Sequence, residues 1–282
     1  MLTVIIPANN EADYIGACLT SVLASDPSDA PFQIIVAANG CTDATPDIAR
    51  GFSAEINARG WTLIVLDIAQ AGKLNALNLA EAAATPGANR AYLDADVRVS
   101  PPLLAQIDRA LCRPDPAYAS GRPVVSYAKT RVTRAYSRIW TRLPFMQQGV
   151  PGCGLFAVNP AGRARWGVLP DIISDDTFVR LHFTPDERIG VPGTFVWPMV
   201  DGFANLVKVR TRQDAGVRQV ARLFPDLMQH DEKHRVGPAR LAGLFLTDPI
   251  GFSVYSVVSV AVRLTLKWRV HDVLGGNWAR GR

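Results

Sequence analysis

The chain has 282 residues, 48% hydrophobic and 20% charged, enough length and apolar content for a full buried core, which excludes bulk disorder. Its net charge of +5 is uneven: residues 1–116 carry 13 acids and 7 bases, residues 117–282 carry 12 acids and 23 bases. An acidic half suits a divalent-cation site and a basic half suits phosphates or an anionic membrane surface, while nucleic acid is disfavoured because no run interleaves bases with aromatics.

Leu2–Ile6 is a β-branched apolar run that reads as a buried strand ended by Pro7. Ala12–Leu23 has helical period, with Tyr14, Ile15, Cys18, Leu19 and Val22 on one side. Phe32–Val36 reads as a second strand, closed by the turn residues Asn39-Gly40. Thr45-Pro46 reads as an N-cap followed by proline at the first helical position, opening a helix to about Arg59. Trp61–Leu66, Lys73–Ala84 and Arg90–Leu93 then read as strand, helix and strand. Such alternation predicts parallel strands with crossover helices, an α/β sheet whose ligands sit beyond the carboxyl ends of the strands.

Beyond residue 117 the pattern loosens. Arg131–Met146 reads as a basic helix, Gly152–Val158 as a glycine-rich loop entering a strand, Asp175–Phe183 as a short helix, and about Gly202–Met228 as an amphipathic stretch. Leu244–Leu246 and Ile250–Val262 are strongly apolar and are followed by Arg263, Lys267 and Arg269. The unbroken apolar run is about 14 residues, short of the roughly 20 that a spanning helix needs. It reads as an interfacial helix with Trp268 and the basic flank at the headgroups, or as a buried helix packed on the sheet.

The sharpest chemical feature is Tyr92-Leu93-Asp94-Ala95-Asp96-Val97, two carboxylates one residue apart at the end of an apolar strand. On an extended chain alternate residues face the same way, so both can address one site, and two hard oxygen donors suit Mg²⁺ or Mn²⁺ shared with substrate phosphates. The plain alternative is one capping and one solvated aspartate ahead of a helix starting near Pro101. Polar clusters also follow the earlier strands: Pro7 to Glu11, Ala38 to Asp43, and Gly72 to Asn78. Ile173-Ser174-Asp175-Asp176-Thr177 follows downstream.

This ordered set resembles the family 2 glycosyltransferases, of GT-A fold, over roughly residues 2–216. The resemblance implies a Rossmann-type, mostly parallel sheet flanked by helices, with a helical, apolar C-terminal extension. It implies a glycosyltransferase domain over 1–228, with a nucleotide-sugar half (1–116) and an acceptor and catalytic half (117–228), before a C-terminal extension over 229–282. It further implies that Pro7, Asn10 and Glu11 line the nucleotide pocket. Asn39, standing where the family more often has an acid, and Asp43 belong to the nucleotide-sugar site, with Asp43 contacting the base, and Lys73 approaches the nucleotide or diphosphate. Asp94 and Asp96, flanking Ala95, would meet ribose and a Mn²⁺ or Mg²⁺ ion, with Asp96 the direct ligand. Asp175 and Asp176 match the acidic pair that supplies the base of inverting transfer, with Asp176 the preferred base. Arg210 and Arg212 would hold the diphosphate. Where processive members carry Q-x-x-R-W, this chain has Val209, Arg212 and Gln213, which favours single transfer.

The expected partners are a nucleoside-diphosphate sugar and a saccharide or lipid-linked acceptor, with an anionic membrane surface as a further candidate. Four cysteines without a C-x-x-C pair fit a reducing compartment, and the opening residues show no signal-peptide pattern, so a cytoplasmic location is expected. His182, His230, His234 and His271 form no ligand pattern. The rival readings are a haloacid-dehalogenase-type phosphatase using Asp94 and Asp96, and a non-catalytic nucleotide-sugar binding module on the same scaffold.

Overall fold

The computed structural model describes residues 1–126, 128–147, 149–232 and 236–268. The first stretch of chain runs β1 (Leu2–Ala8), α1 (Ala12–Leu23), β2 (Gln33–Asn39), α2 (Thr45–Gly51), α3 (Ser53–Ala58), β3 (Thr62–Ile68), α4 (Lys73–Ala83) and β4 (Asn89–Leu93). Then come β5 (Arg98–Val99), α5 (Leu103–Ala110), β6 (Tyr118–Val125), α6 (Arg131–Trp140), α7 (Pro144–Gln147), β7 (Leu155–Val158), α8 (Pro160–Arg163) and α9 (Asp175–Leu181). The last elements are β8 (Arg188–Trp197), α10 (Phe203–Leu223), α11 (Pro238–Thr247) and α12 (Pro249–Trp268).

The strands form one sheet in the order β3-β2-β1-β4-β7-β6-β8-β5. β1 pairs in parallel with β2 and β4, and β2 in parallel with β3. β7 then pairs antiparallel with β4 and β6, as β5 does with β8. The alternating first hundred residues thus give the expected parallel half, and the less regular chain beyond them supplies the antiparallel half.

The chain divides into two compact units. One comprises residues 1–124, 152–171 and 182–197, the other 125–151, 172–181 and 198–282. The sheet belongs to the first. Every residue of β1 and of β2 is buried, as apolar strands covered on both faces require. α1 buries Ile15, Cys18, Leu19 and Val22, the i, i+3, i+4, i+7 stripe, with Ile15, Leu19 and Val22 each contributing about 1.5–3 kcal/mol on burial. Tyr14, assigned to the same side from sequence, is exposed.

Two local expectations are corrected here. Pro7 does not end the first strand: the ladder to β4 stops at Ile5, and the ladder to β2 runs on through Pro7 to Ala8. Thr45 is not the cap of α2 but its first residue, with Ala44 at the cap position and a second helix beginning at Ser53.

The second unit is helical, with α6 and α10 both packed against α12. The boundary expected at residue 228 falls inside it. The expected basic helix stops at Trp140, and α7 restarts at Pro144, because the residue before a proline disfavours helix. The rings of Tyr136 and Tyr255 stack at 5.3 Å, and burial pushes the Tyr136 hydroxyl up to about 12.

At the α11–α12 junction, Asp248 accepts the Gly251 amide at 2.8 Å and receives Arg138 through Nε at 2.6 Å and Nη2 at 3.0 Å. The Arg138 guanidinium, then the Gly251 amide, hold the Asp248 carboxyl down to about 2. The folded value lies below the unfolded one. The stabilisation is therefore complete above the usual carboxylate value of about 4 and is lost as pH falls toward 2. Acid-unfolding titrations should show wild type losing its stability advantage over Asp248→Asn across that window. A difference constant with pH would contradict the assignment.

Candidate functional site

Within the first unit, the loops after β1, β2, β3 and β4 meet at the carboxyl edge of the parallel strands. Asn39, the last residue of β2, ties three of them. Its Nδ2 donates to the Ala8 carbonyl at 2.9 Å and the Ala37 carbonyl at 3.2 Å, while its Oδ1 accepts the Gly72 amide at 3.0 Å. Asn9 braces the same corner, its amide donating to the carbonyls of Asn39 at 2.5 Å and Gly40 at 3.2 Å. Asn39, expected among the nucleotide-sugar residues, is fully buried beneath the edge and orders its loops. Gly40 is required here for two reasons. Its φ is +54°, and a Cβ would lie 2.5 Å from the Ala71 Cβ.

Asp43 is equally committed. Its Oδ2 accepts the Ala12 amide at 3.1 Å at the start of α1, and its Oδ1 accepts the Thr45 amide and hydroxyl at 3.0 and 2.6 Å. The Thr45 oxygen in turn accepts the Glu11 amide at 2.7 Å. Glu11 therefore stands at the cap position of α1, held by its backbone. Asn10 adopts the left-handed conformation that asparagine tolerates, φ 51°, and its Oδ1 accepts the Thr42 amide at 2.7 Å. These side chains knit the first two loops together, a role that Asn9 and Thr45 share although neither is among the expected site residues.

The D-x-D segment is a turn, not a continuation of the strand. β4 ends at Leu93, the Val97 amide closes onto the Asp94 carbonyl at 3.0 Å, and the Asp94 amide donates to Gly154 at 2.9 Å. The two carboxylates nevertheless both reach the surface, because Asp94 and Asp96 are half-buried while Ala95 and Val97 are buried. The first residue of α4, Lys73, pairs with Asp94, Nζ to Oδ1 3.2 Å, which joins the third and fourth loops. Beneath them, burial pushes the Cys18 thiol up, and the charges of Asp94 and Glu11 push it further. Among the described residues no three His, Cys, Asp or Glu side chains gather as metal ligands. Two half-buried carboxylates on one turn still fit an ion that keeps waters and takes substrate phosphate oxygens.

Arg90, on β4, faces Glu81 of α4 and Arg163 of α8. Glu81 Oε2 is 3.1 Å from Arg163 Nε and 3.5 Å from Arg90 Nε, and Glu81 also accepts the Tyr92 hydroxyl.

In the second unit, Asp175 and Asp176 open α9. Asp175 is buried and Asp176 half-buried, its Oδ1 accepting the Thr177 amide at 2.7 Å. The segment leading into them is fixed by α10, where Gln219 Oε1 accepts the Ile173 amide at 2.9 Å. Gly216 makes that approach possible: a Cβ there would meet Ile173 Cγ2 at 3.0 Å and the Ser174 side chain closer still. A glycine inside a helical pattern was the available sequence signal for this contact; nothing flagged Gln219. Arg210 pairs with Asp214 at 3.1 Å and donates to Gln213 at 3.2 Å, and Arg212 is half-buried on the same helix.

His182 packs on Trp166, ring centroids 5.4 Å apart, and His230 Nδ1 meets the Leu181 carbonyl at 2.8 Å. His234, His271, Arg269 and the side chain of Trp268 lie outside the described residues.

A parallel sheet continued by antiparallel strands, with an acidic turn after its fourth strand, is the fold of the GT-A glycosyltransferases. The sequence model of Glycosyl transferase family 2 matches residues 3–164, and the chain belongs to that family. Membership removes the phosphatase reading. No curated protein sequence matches the chain. Among solved structures it is similar to the mannosyltransferase PcManGT of Pyrobaculum calidifontis, in complex with GDP-Man and Mn²⁺. Identity there is 21%, with 93% of this chain and 75% of that one covered and a TM-score of 0.57. It is also similar to S. aureus TarS 1–349 in complex with UDP-GlcNAc, at 12% identity over 93% and 91% of the two chains, TM-score 0.52.

Proposed function

We propose that the chain transfers a sugar from a nucleoside-diphosphate sugar to an acceptor hydroxyl with inversion, one sugar per binding event. The observation that carries this reading is the carboxyl edge of the parallel strands, where Lys73 and Asp94 are paired and Asp96, half-buried like Asp94, shares its turn.

In this reading the backbone after Pro7, with Asn10, Glu11 and Asp43, forms the nucleotide side, Glu11 accepting hydrogen bonds from ribose or base. Lys73 places an ammonium against the diphosphate, with Arg210 and Arg212 as further cationic donors. Asp96, with Asp94, would hold Mn²⁺ or Mg²⁺, which when bound offsets charge growing on the diphosphate leaving group. Asp176 takes the proton from the acceptor hydroxyl as it attacks the anomeric carbon, and Asp175 supports it. Two solved structures of the same fold support the donor class, one holding GDP-Man and Mn²⁺ and one holding UDP-GlcNAc. Single transfer is supported by Gln213, which stands where processive members carry tryptophan and is hydrogen-bonded to Arg210. A saccharide or lipid-linked acceptor and a cytoplasmic location complete the reading.

Thermal shift with a panel of nucleoside diphosphates, each with and without Mn²⁺, tests the donor site, since ligand that binds the native state raises the melting temperature. One nucleotide should give a Mn²⁺-dependent rise that Asp96→Ala abolishes. A rise needing neither metal nor Asp96 would sink the metal role. Silence with every nucleotide would favour a non-catalytic scaffold.

A further inference from the structure

We infer that the helical unit docks on an anionic bilayer surface through the outward face of α11 and α12, lying in the plane of the membrane. Along α12 the residues Ile250, Val257, Val260 and Leu264 recur on one helical face and are exposed, Ile250 at 71% and Val257 at 58%. α11 extends the patch with Phe245 and with Leu246, 79% exposed. The opposite face of α12 is used internally, burying Val258, Val262 and Leu266 where α6 and α10 pack. A contiguous apolar face of this kind marks an interaction surface.

Charge names the occupant. The helical unit carries 19 Lys and Arg against 9 Asp and Glu, whereas the sheet unit carries 11 against 16. Exposed Arg240, Arg263 and Lys267 flank the patch, and the one acid in residues 236–268, Asp248, is paired with Arg138. An apolar stripe bordered by bases suits anionic headgroups. A second copy of so basic a unit would meet like charge.

α12 has a stretch, Pro249–Lys267, long and apolar enough to cross a membrane. Its packing argues against that. Crossing would carry the helices that cover its buried face into hydrocarbon, α6 with Arg131, Arg134 and Arg138 and α10 with Lys208, Arg210 and Arg212.

Flotation of the full chain with vesicles of phosphatidylcholine alone, and with added phosphatidylglycerol, tests the inference. The chain should float with the anionic vesicles, more weakly at high salt, and leave them in alkaline carbonate. Val257→Glu/Leu264→Glu should lower the bound fraction about tenfold or more. Both positions are exposed, so the melting temperature and the nucleotide-induced shift should stay as in wild type, which separates failure of docking from failure of the transferase reading. No flotation at low salt, undiminished flotation of the double variant, or retention in carbonate would each overturn the inference. So would a dimer in ultracentrifugation that the same substitutions abolish in the absence of vesicle binding.

Discussion

Asp176→Asn should lower the transfer rate by about a thousandfold while leaving nucleoside-diphosphate binding and the melting temperature close to wild type. The substitution keeps the shape of the side chain and its acceptor for the Thr177 amide, 2.7 Å away, but removes the group that can accept a proton. Asp176 is half-buried and Asp175 is buried, so Asp176 is the more accessible member of the pair. The loss should appear in kcat and not in donor affinity, since a general base acts in the transition state and not in holding the nucleotide. Steady-state kinetics with donor in excess, beside the thermal-shift assay, separates the two. A variant retaining a tenth or more of the rate would remove Asp176 from the mechanism.

Asn39→Asp should destabilise the sheet unit by about 3 kcal/mol, although the side chain changes by a single atom. The buried amide gives two hydrogen bonds, to Ala8 and Ala37, and receives one from Gly72. A carboxylate can keep the third but turns a bare oxygen toward two carbonyls with no water to intervene. The expected fall in melting temperature is about 6–12 °C. Its pH dependence is diagnostic. A buried acid of this kind would have its folded pKa raised above the unfolded value, so the penalty is complete at neutral pH and shrinks as pH falls through the carboxylate range. Nucleotide binding should weaken as well, because Asn39 joins the loops after β1, β2 and β3. Equal stability of variant and wild type at neutral pH would show that the amide does not have this role.

These two residues illustrate how far the sequence could be read. Asp176 was assigned from its motif, and the structure adds that its neighbour is buried and that Gly216 and Gln219 hold the segment on α10. Asn39 reads from sequence as a turn residue with a ligand contact and is instead the buried last residue of β2, because a motif reports position along the chain and not depth. The D-x-D pair was read as extended strand and is a turn, since hydrogen bonds from Val97 and to Gly154 decide its backbone.

The sequence by itself determined the parallel half of the sheet, because strand and helix periods are local properties of residues 2–93. It also determined the family, because the polar clusters fall at fixed places after those strands, and the asymmetry of charge, which is a count. Only the tertiary structure decided the antiparallel half, the division into two units and the depth of each polar side chain. It alone placed α12, which reads from sequence as buried or interfacial, with one face packed on α6 and α10 and the other exposed among the described residues. These depend on contacts between residues far apart in the chain, and periodicity within a segment carries no information about what a distant segment will bring against it.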